Sequence, residues 1–169
     1  MESKKYLLKP VLKTLKQGFT LEDENNQVVY EAKMTKFSLF GASPFEFTNH
    51  ITNLTEEHKI GKTVTSQESG PAGFFSTSST FKYDDQKIWD YLHKKGIRIH
   101  TTLSGNKLGM TYEVSFEGKD LAIIATSSPK GNSLITSSFY YDVECEEKDL
   151  DLVFLVAFSI AKTDQAFYN

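Results

Sequence analysis

Cysteine is almost absent: Cys145 is the only one in 169 residues. No disulfide can form within the chain, and no zinc site built on several cysteines can be assembled. A reducing, cytoplasmic setting is therefore expected. An excess of charge is also lacking, since 19 basic and 22 acidic residues leave a net charge of −3. A dedicated nucleic-acid binder carries a basic surplus, so no nucleic acid is expected as a partner. Long apolar runs are missing as well. The most hydrophobic stretch, Leu152 to Ala161, is half the length of the roughly twenty residues a membrane-spanning helix needs. The basic start MESKKYLLKPVLKTLKQGF has its apolar residues interrupted by Lys9, Pro10, Lys13 and Lys16, unlike a secretion signal. The four histidines, His50, His58, His93 and His100, show neither HxH nor HxxxH spacing, so no metal and no cofactor is expected.

What is present favours strands. The length suits one domain, residues 1–169, able to bury a core without staples. Thirteen Phe and eight Tyr against one Trp give an aromatic content that favours β-structure. The chain alternates strand and polar turn. GFTLED and QVVYEAKM flank an Asn-rich turn and read as a hairpin. TKFSLFG, PFEFTNHIT and HKIGKTVTS follow, with Phe45, Phe47, Ile60 and Val64 on one side. The Gly/Pro-rich QESGPAGFF then breaks the pattern as a candidate flexible edge. Strand signals resume with IRIHTTLS, MTYEVSF, DLAIIATSS and SLITSSFYYDVEC, giving ten to twelve strands in all.

Two segments depart from this period. DDQKIWDYLHKKG reads as an amphipathic helix, with Asp84 or Asp85 as its cap, Ile88, Trp89 and Leu92 on one face, and Gly96 as its stop. The tail from Leu152 to Ala161 is apolar at nine of ten positions, Ser159 being the exception. A helix apolar on every side must be surrounded on every side. Many antiparallel strands remove their edges most simply by closing into a barrel, and a ten-strand or larger barrel is too wide for its own side chains to fill. The expected architecture is therefore mainly β: a closed antiparallel barrel of about twelve strands around a central hydrophobic C-terminal helix, with one extra amphipathic helix. A buried wall strand is the alternative for the tail, since Val153, Phe154, Val156 and Phe158 also suit a sheet.

The meander FTLEDENNQVVYEAKMTKFSLF, with Phe19, Leu21, Asp23, Val28, Val29 and Tyr30 in an aromatic-x-hydrophobic-x-Asp, turn, Val-Tyr pattern, and the ending DLDLVFLVAFSIAKTDQAFYN together resemble the Tubby C-terminal-like superfamily. Its small bacterial members and the LURP-one-related proteins are the nearest in pattern. The phospholipid scramblases are more distant, sharing the Asp149 to Asp151 DLD but having Cys-rich segments that this chain lacks. The resemblance implies the same barrel around a terminal helix. It also implies a non-catalytic binding module, peripheral at the inner membrane surface and directed at phosphoinositide or other anionic lipid headgroups. No basic headgroup motif of the tubby domains maps onto these residues.

The basic residues that are present lie at the start. Lys4, Lys5, Lys9, Lys13 and Lys16, against Glu2 alone, form the candidate lipid-binding cluster, because anionic lipid attracts polybasic segments. Leu7, Leu8, Val11, Leu12 and Leu15 recur at helical spacing, so the residues after Pro10 suggest a short interfacial helix. The alternative function is a protein-interaction or scaffold domain without lipid affinity, using Trp89 and Tyr91 as aromatic anchors. Glu144, Glu146, Glu147, Asp149 and Asp151 precede the tail, where a helix dipole favours negative charge. No enzyme is expected. GKT at Gly61 to Thr63 lacks the upstream glycine of a phosphate loop, having Glu56 there. Cys145 sits among carboxylates that disfavour a thiolate, and the NLT sequon at Asn53 has no export signal beside it.

Overall fold

The computed structural model describes residues 2–13, 16–36, 43–60, 80–83, 85–103, 110–127 and 140–168. Ten strands form one sheet: β1 (Lys4–Lys13), β2 (Lys16–Glu22), β3 (Val28–Met34), β4 (Ser43–Asn49), β5 (Leu54–Ile60), β6 (Thr80–Tyr83), β7 (Ile97–Leu103), β8 (Met110–Phe116), β9 (Lys119–Ser127) and β10 (Tyr140–Cys145). Their order across the sheet is β6, β5, β4, β3, β2, β1, β10, β9, β8, β7. Two meanders, β1 to β5 and β7 to β10, are therefore zipped together where β1 meets β10, with Lys4 opposite Cys145 and Leu8 opposite Tyr141.

Strand β1 corrects the expectation of an interfacial helix after Pro10. The lysines and leucines of LLKPVLK fit either period, and pairing on both sides decides for the strand: β10 takes Lys4 to Leu8, and β2 takes Leu7 to Lys13. Alternation buries Tyr6 and Leu8, while Lys5 stays in solvent. Pro10 lies beyond the stretch paired with β10, so its missing N–H breaks no ladder bond on that side.

The tail is a helix, α2 (Leu150–Tyr168), entered through a 3-10 turn at Glu147–Asp149. Every residue from Val153 to Ala161 is buried. Nine consecutive buried positions exceed two turns at 3.6 residues per turn, so this stretch of the helix is covered on every side, by the sheet and by a second helix together. The one polar residue in the run is accommodated locally, the Ser159 hydroxyl donating to the Leu155 carbonyl at 2.7 Å. Phe19, Phe45 and Phe47 ring Phe158 at centroid distances of 5.3, 5.1 and 5.0 Å, and Tyr30 stacks on Phe154 at 4.3 Å. On its other side α2 packs against β9 and β10.

Mainly β structure with a C-terminal helix is present, and two features of the expected barrel are not seen among the described residues. Ten strands, not about twelve, lie among the described residues, and the edge strands β6 and β7 are not paired with one another. Strand β6 joins β5 in parallel, with His58 opposite Phe81. A parallel neighbour requires a crossover connection, which the expected succession of hairpins did not contain. Helix α1 (Asp85–Lys94) packs against both edge strands and against α2, so the edges flank one covering helix. Residues 37–41 of TKFSLFG, 61–66 of HKIGKTVTS with Val64 among them, the QESGPAGFF loop, Asp84 and residues 133–139 of SLITSSFYYDVEC lie outside the described residues.

Gly96 ends α1 as expected. Its φ of +102° is open to glycine, its N–H donates to the His93 carbonyl at 3.1 Å, and its carbonyl accepts from Glu117 N–H. Gly18 serves a different need: a Cβ there would stand 2.6 Å from the Ala32 carbonyl oxygen, so β2 and β3 approach too closely for any side chain.

Candidate functional site

The five N-terminal lysines are not gathered into one free basic face. Lys4 ion-pairs with Glu147, whose hydrogen bond and charge raise the ammonium above its ordinary value. Lys9 reaches Glu22 at 3.0 Å. Lys5 is exposed and stands opposite Glu144 in the β1–β10 register. The backbone sets Lys13 opposite Lys16 at the far end of the hairpin. Strand geometry has thus placed acidic residues beside three of the five.

Trp89 and Tyr91 are half-buried and packed on the core, and the Lys95 ammonium lies 5.4 Å from the Tyr91 ring centroid. Their residue types fit the role of fastening α1 over α2, with Leu92 fully buried beside them.

A groove of about 1070 Å³ lies along β7, β8, β9 and β10. Its walls carry six carboxylates, Glu113, Glu117, Asp120, Glu144, Glu146 and Asp149. Three cationic side chains oppose them: Arg98, Lys119 and Lys148. Two of these are already engaged. Lys148 pairs with Glu146 at 3.2 Å, and the Arg98 guanidinium donates to the His93 and Ile97 carbonyls at 2.9 Å. Burial raises the Asp149 carboxyl, with Lys148 opposing the shift and Glu146 adding to it. The register runs His100, Glu113, Ile123, Glu144 and Lys5 straight across five strands. Ile123, 47% exposed, is therefore an apolar point with a glutamate on either side. A bulge at Val114/Ser115 sets this register, leaving both Leu121 and Ala122 buried and turning Ile123 out.

The start of α2 carries a second polar arrangement. Asp151 Oδ1 accepts from the Tyr30 hydroxyl at 2.7 Å and from the Asn49 side-chain amide at 3.2 Å. Burial, reinforced by Asp151, pushes the Tyr30 phenol well above its ordinary value, so it remains a donor. Nearby, burial pushes the Cys145 thiol up to about 12, with Asp149 and Glu146 adding to the effect. Tyr6 is also raised to about 12 by burial and by Cys145, Glu147 and Asp23. A thiol held protonated is a poor nucleophile and a poor metal ligand. Among the described residues, no three His, Cys, Asp or Glu side chains are grouped to hold a metal ion, and no helix is long and apolar enough to cross a membrane.

The groove was not visible in the linear sequence. Alternation in MTYEVSF and DLAIIATSS marks Glu113 and Ile123 as outward, but their adjacency depends on a bulge and on pairing between β10 and β1. Of the acidic residues before the tail, Glu144, Glu146 and Asp149 line the groove, Glu147 holds Lys4, and Asp151 faces Tyr30. Comparison with family models, curated proteins and solved structures gives no match to this chain.

Proposed function

We propose that this chain is a non-catalytic binding module of the Tubby C-terminal-like type, a barrel of about twelve strands around α2, that captures a basic segment of a protein partner. The enclosed terminal helix, and an edge seam covered by α1, support the barrel reading. One observation carries the functional reading: the groove presents six carboxylates, and its opposing cations are fewer and partly engaged. A concave negative surface raises the local concentration of cationic partners, and the exposed Ile123 offers an apolar contact inside the field.

The anionic-lipid reading draws on the same N-terminal lysines as before. Lys4 and Lys9 are engaged with Glu147 and Glu22, and the groove's carboxylates repel the same headgroups, so the protein-interaction reading takes precedence.

The test is titration with a fluorescein-labelled hexalysine peptide at low and at physiological salt, beside co-sedimentation with neutral, anionic and phosphoinositide-containing vesicles. Peptide binding should weaken with salt and fall at least about tenfold in Glu113→Lys/Glu144→Lys. Glu46→Lys, an exposed change on β4, should leave it unaltered. Vesicle binding lost in Lys5→Glu, without peptide binding, would overturn this reading in favour of lipid.

A further inference from the structure

The groove takes only a short stretch from each of four adjacent strands: residues 98–100 of β7, 113–116 of β8, 119–123 of β9 and 144 of β10. It therefore runs across the strands and not along one of them. One side is a single cross-strand row, in which His100 stands opposite Glu113, Glu113 opposite Ile123, and Ile123 opposite Glu144. All four side chains are exposed, as alternation requires of residues on one register line. The other side is bounded by the β8–β9 turn at Glu117 and by the 3-10 turn that carries Lys148 and Asp149.

An occupant of this groove lies over a sheet whose backbone groups are already engaged between strands. An extended segment laid across it finds no backbone partner, whereas a helix brings its own hydrogen bonds. The spacing of the row favours the helix too. Neighbouring strands stand about 4.8 Å apart, so Ile123 lies about 4.8 Å and Glu144 about 9.6 Å from Glu113 along the row. On one face of a helix, positions i+3 and i+7 lie about 4.5 Å and about 10.5 Å along the axis from position i. An extended chain returns to the same face only about every 6.7 Å, and its third residue, about 10 Å on, points away. Its period matches neither point. The volume of about 1070 Å³ equals that of about two and a half turns of a helix about 10 Å across, and i to i+7 occupies about two.

The chemistry of the row is carboxylate, apolar side chain, carboxylate. Neither Glu113 nor Glu144 forms an ion pair with a described residue, so both are open to a cation from outside. His100 at one end and Lys5, opposite Glu144, at the other carry no carboxylate, which confines the acidic match to these three positions.

We propose that the groove takes an amphipathic helix of its protein partner, laid across β8, β9 and β10, with Lys or Arg at i and i+7 over Glu113 and Glu144 and a leucine-sized residue at i+3 against Ile123. This rests on the capture of basic segments proposed above and specifies the form of the segment. Anchors at i, i+3 and i+7 are those by which a helix lies in a groove.

Two labelled peptides of one composition test it beside hexalysine, each with two lysines and one leucine in a serine/glutamine host. One places lysine at i and i+7 with leucine at i+3. The other places lysine at i and i+4 with leucine at i+2, a pattern that suits an extended chain and sends the leucine to the far face of a helix. The first should bind about tenfold more tightly, as expected for one apolar side chain gaining its contact, and should gain helix by circular dichroism as it binds. Ile123→Ser should remove most of that preference and leave hexalysine binding unchanged. Glu113→Lys/Glu144→Lys should weaken the first peptide and hexalysine alike. Hexalysine binding that responds to the groove variant, with equal affinity for the two spaced peptides or no gain of helix, would overturn the helix and leave the basic-segment reading standing. A preference that survives Ile123→Ser would do the same. Absence of binding by both hexalysine and the first peptide would overturn the two readings together.

Discussion

Replacing Phe158 by alanine tests the enclosure of α2 most directly. The ring is fully buried and contacts Phe19, Phe45 and Phe47, three rings from two strands. Truncating a buried phenylalanine costs about 3–5 kcal/mol, combining lost transfer energy with the cavity left behind. A net stability of about 5–15 kcal/mol makes that a large fraction of the whole. At about 2–4 °C per kcal/mol for a chain of this size, the melting temperature should fall by about 6–20 °C. Urea unfolding followed by Trp89 fluorescence reads the loss, with Ile123→Ala as the surface comparison at no more than about 0.5 kcal/mol. Ile160→Ala, about 160° from Phe158 around the helix after two residues and buried, should also cost at least about 2 kcal/mol. A Phe158→Ala loss no larger than that of Ile123→Ala would refute the reasoning. So would an Ile160→Ala variant as stable as the native protein, because a helix with a solvent face opposite Phe158 tolerates substitution there.

Three further outcomes are expected. Asp151→Ala should destabilise by about 1–3 kcal/mol for each donor left without its acceptor, Tyr30 and Asn49, and Asp151→Asn should recover part of the loss in the same urea assay. Cys145 should resist a thiol reagent at pH 8 in the native state and react once unfolded. Its folded thiol, at about 12, holds its proton more tightly than the ordinary value of 9.0, so its stabilising contribution is complete below pH 9 and disappears as the pH rises toward 12. Tyr6, raised from 10.0 to about 12, acts in the same sense, and a flat alkaline stability profile through pH 11 would contradict both. Gly18→Ala should cost about 1–3 kcal/mol by thermal melting, because the new methyl meets a backbone oxygen at 2.6 Å and β2 or β3 must shift.

The terminal helix was legible because its signal is one-dimensional. Nine apolar residues in ten leave no face for water, whatever lies around them, and Ser159 is excused by a bond to its own helix. The hairpin around Asn25 and Asn26 was legible for the same reason, since its turn chemistry and its alternation sit side by side in the chain. Closure was harder. There β5 and β6 are parallel, and β6 and β7 both contact α1 without pairing with one another. No local pattern distinguishes a strand returning by hairpin from one arriving by crossover.

The lysines show why the candidate sites moved. In LLKPVLK an apolar residue recurs at both helical and strand intervals, and the lysines alone suggest an amphipathic surface. Pairing with β10 decides for the strand, and the same pairing brings Glu144 opposite Lys5 and Glu147 within reach of Lys4. A basic cluster in the sequence thus becomes one half of a charge-balanced seam. The opposite happens 110 to 140 residues later. Glu113 and Glu144 lie 31 positions apart in the chain, yet β9 places them on either side of Ile123. Register therefore redistributes charge that composition and local runs cannot locate: it sets acidic residues beside Lys4, Lys5 and Lys9 and gathers others along β8 to β10. That is the physical reason we propose a basic partner in place of the anionic one its first residues suggest.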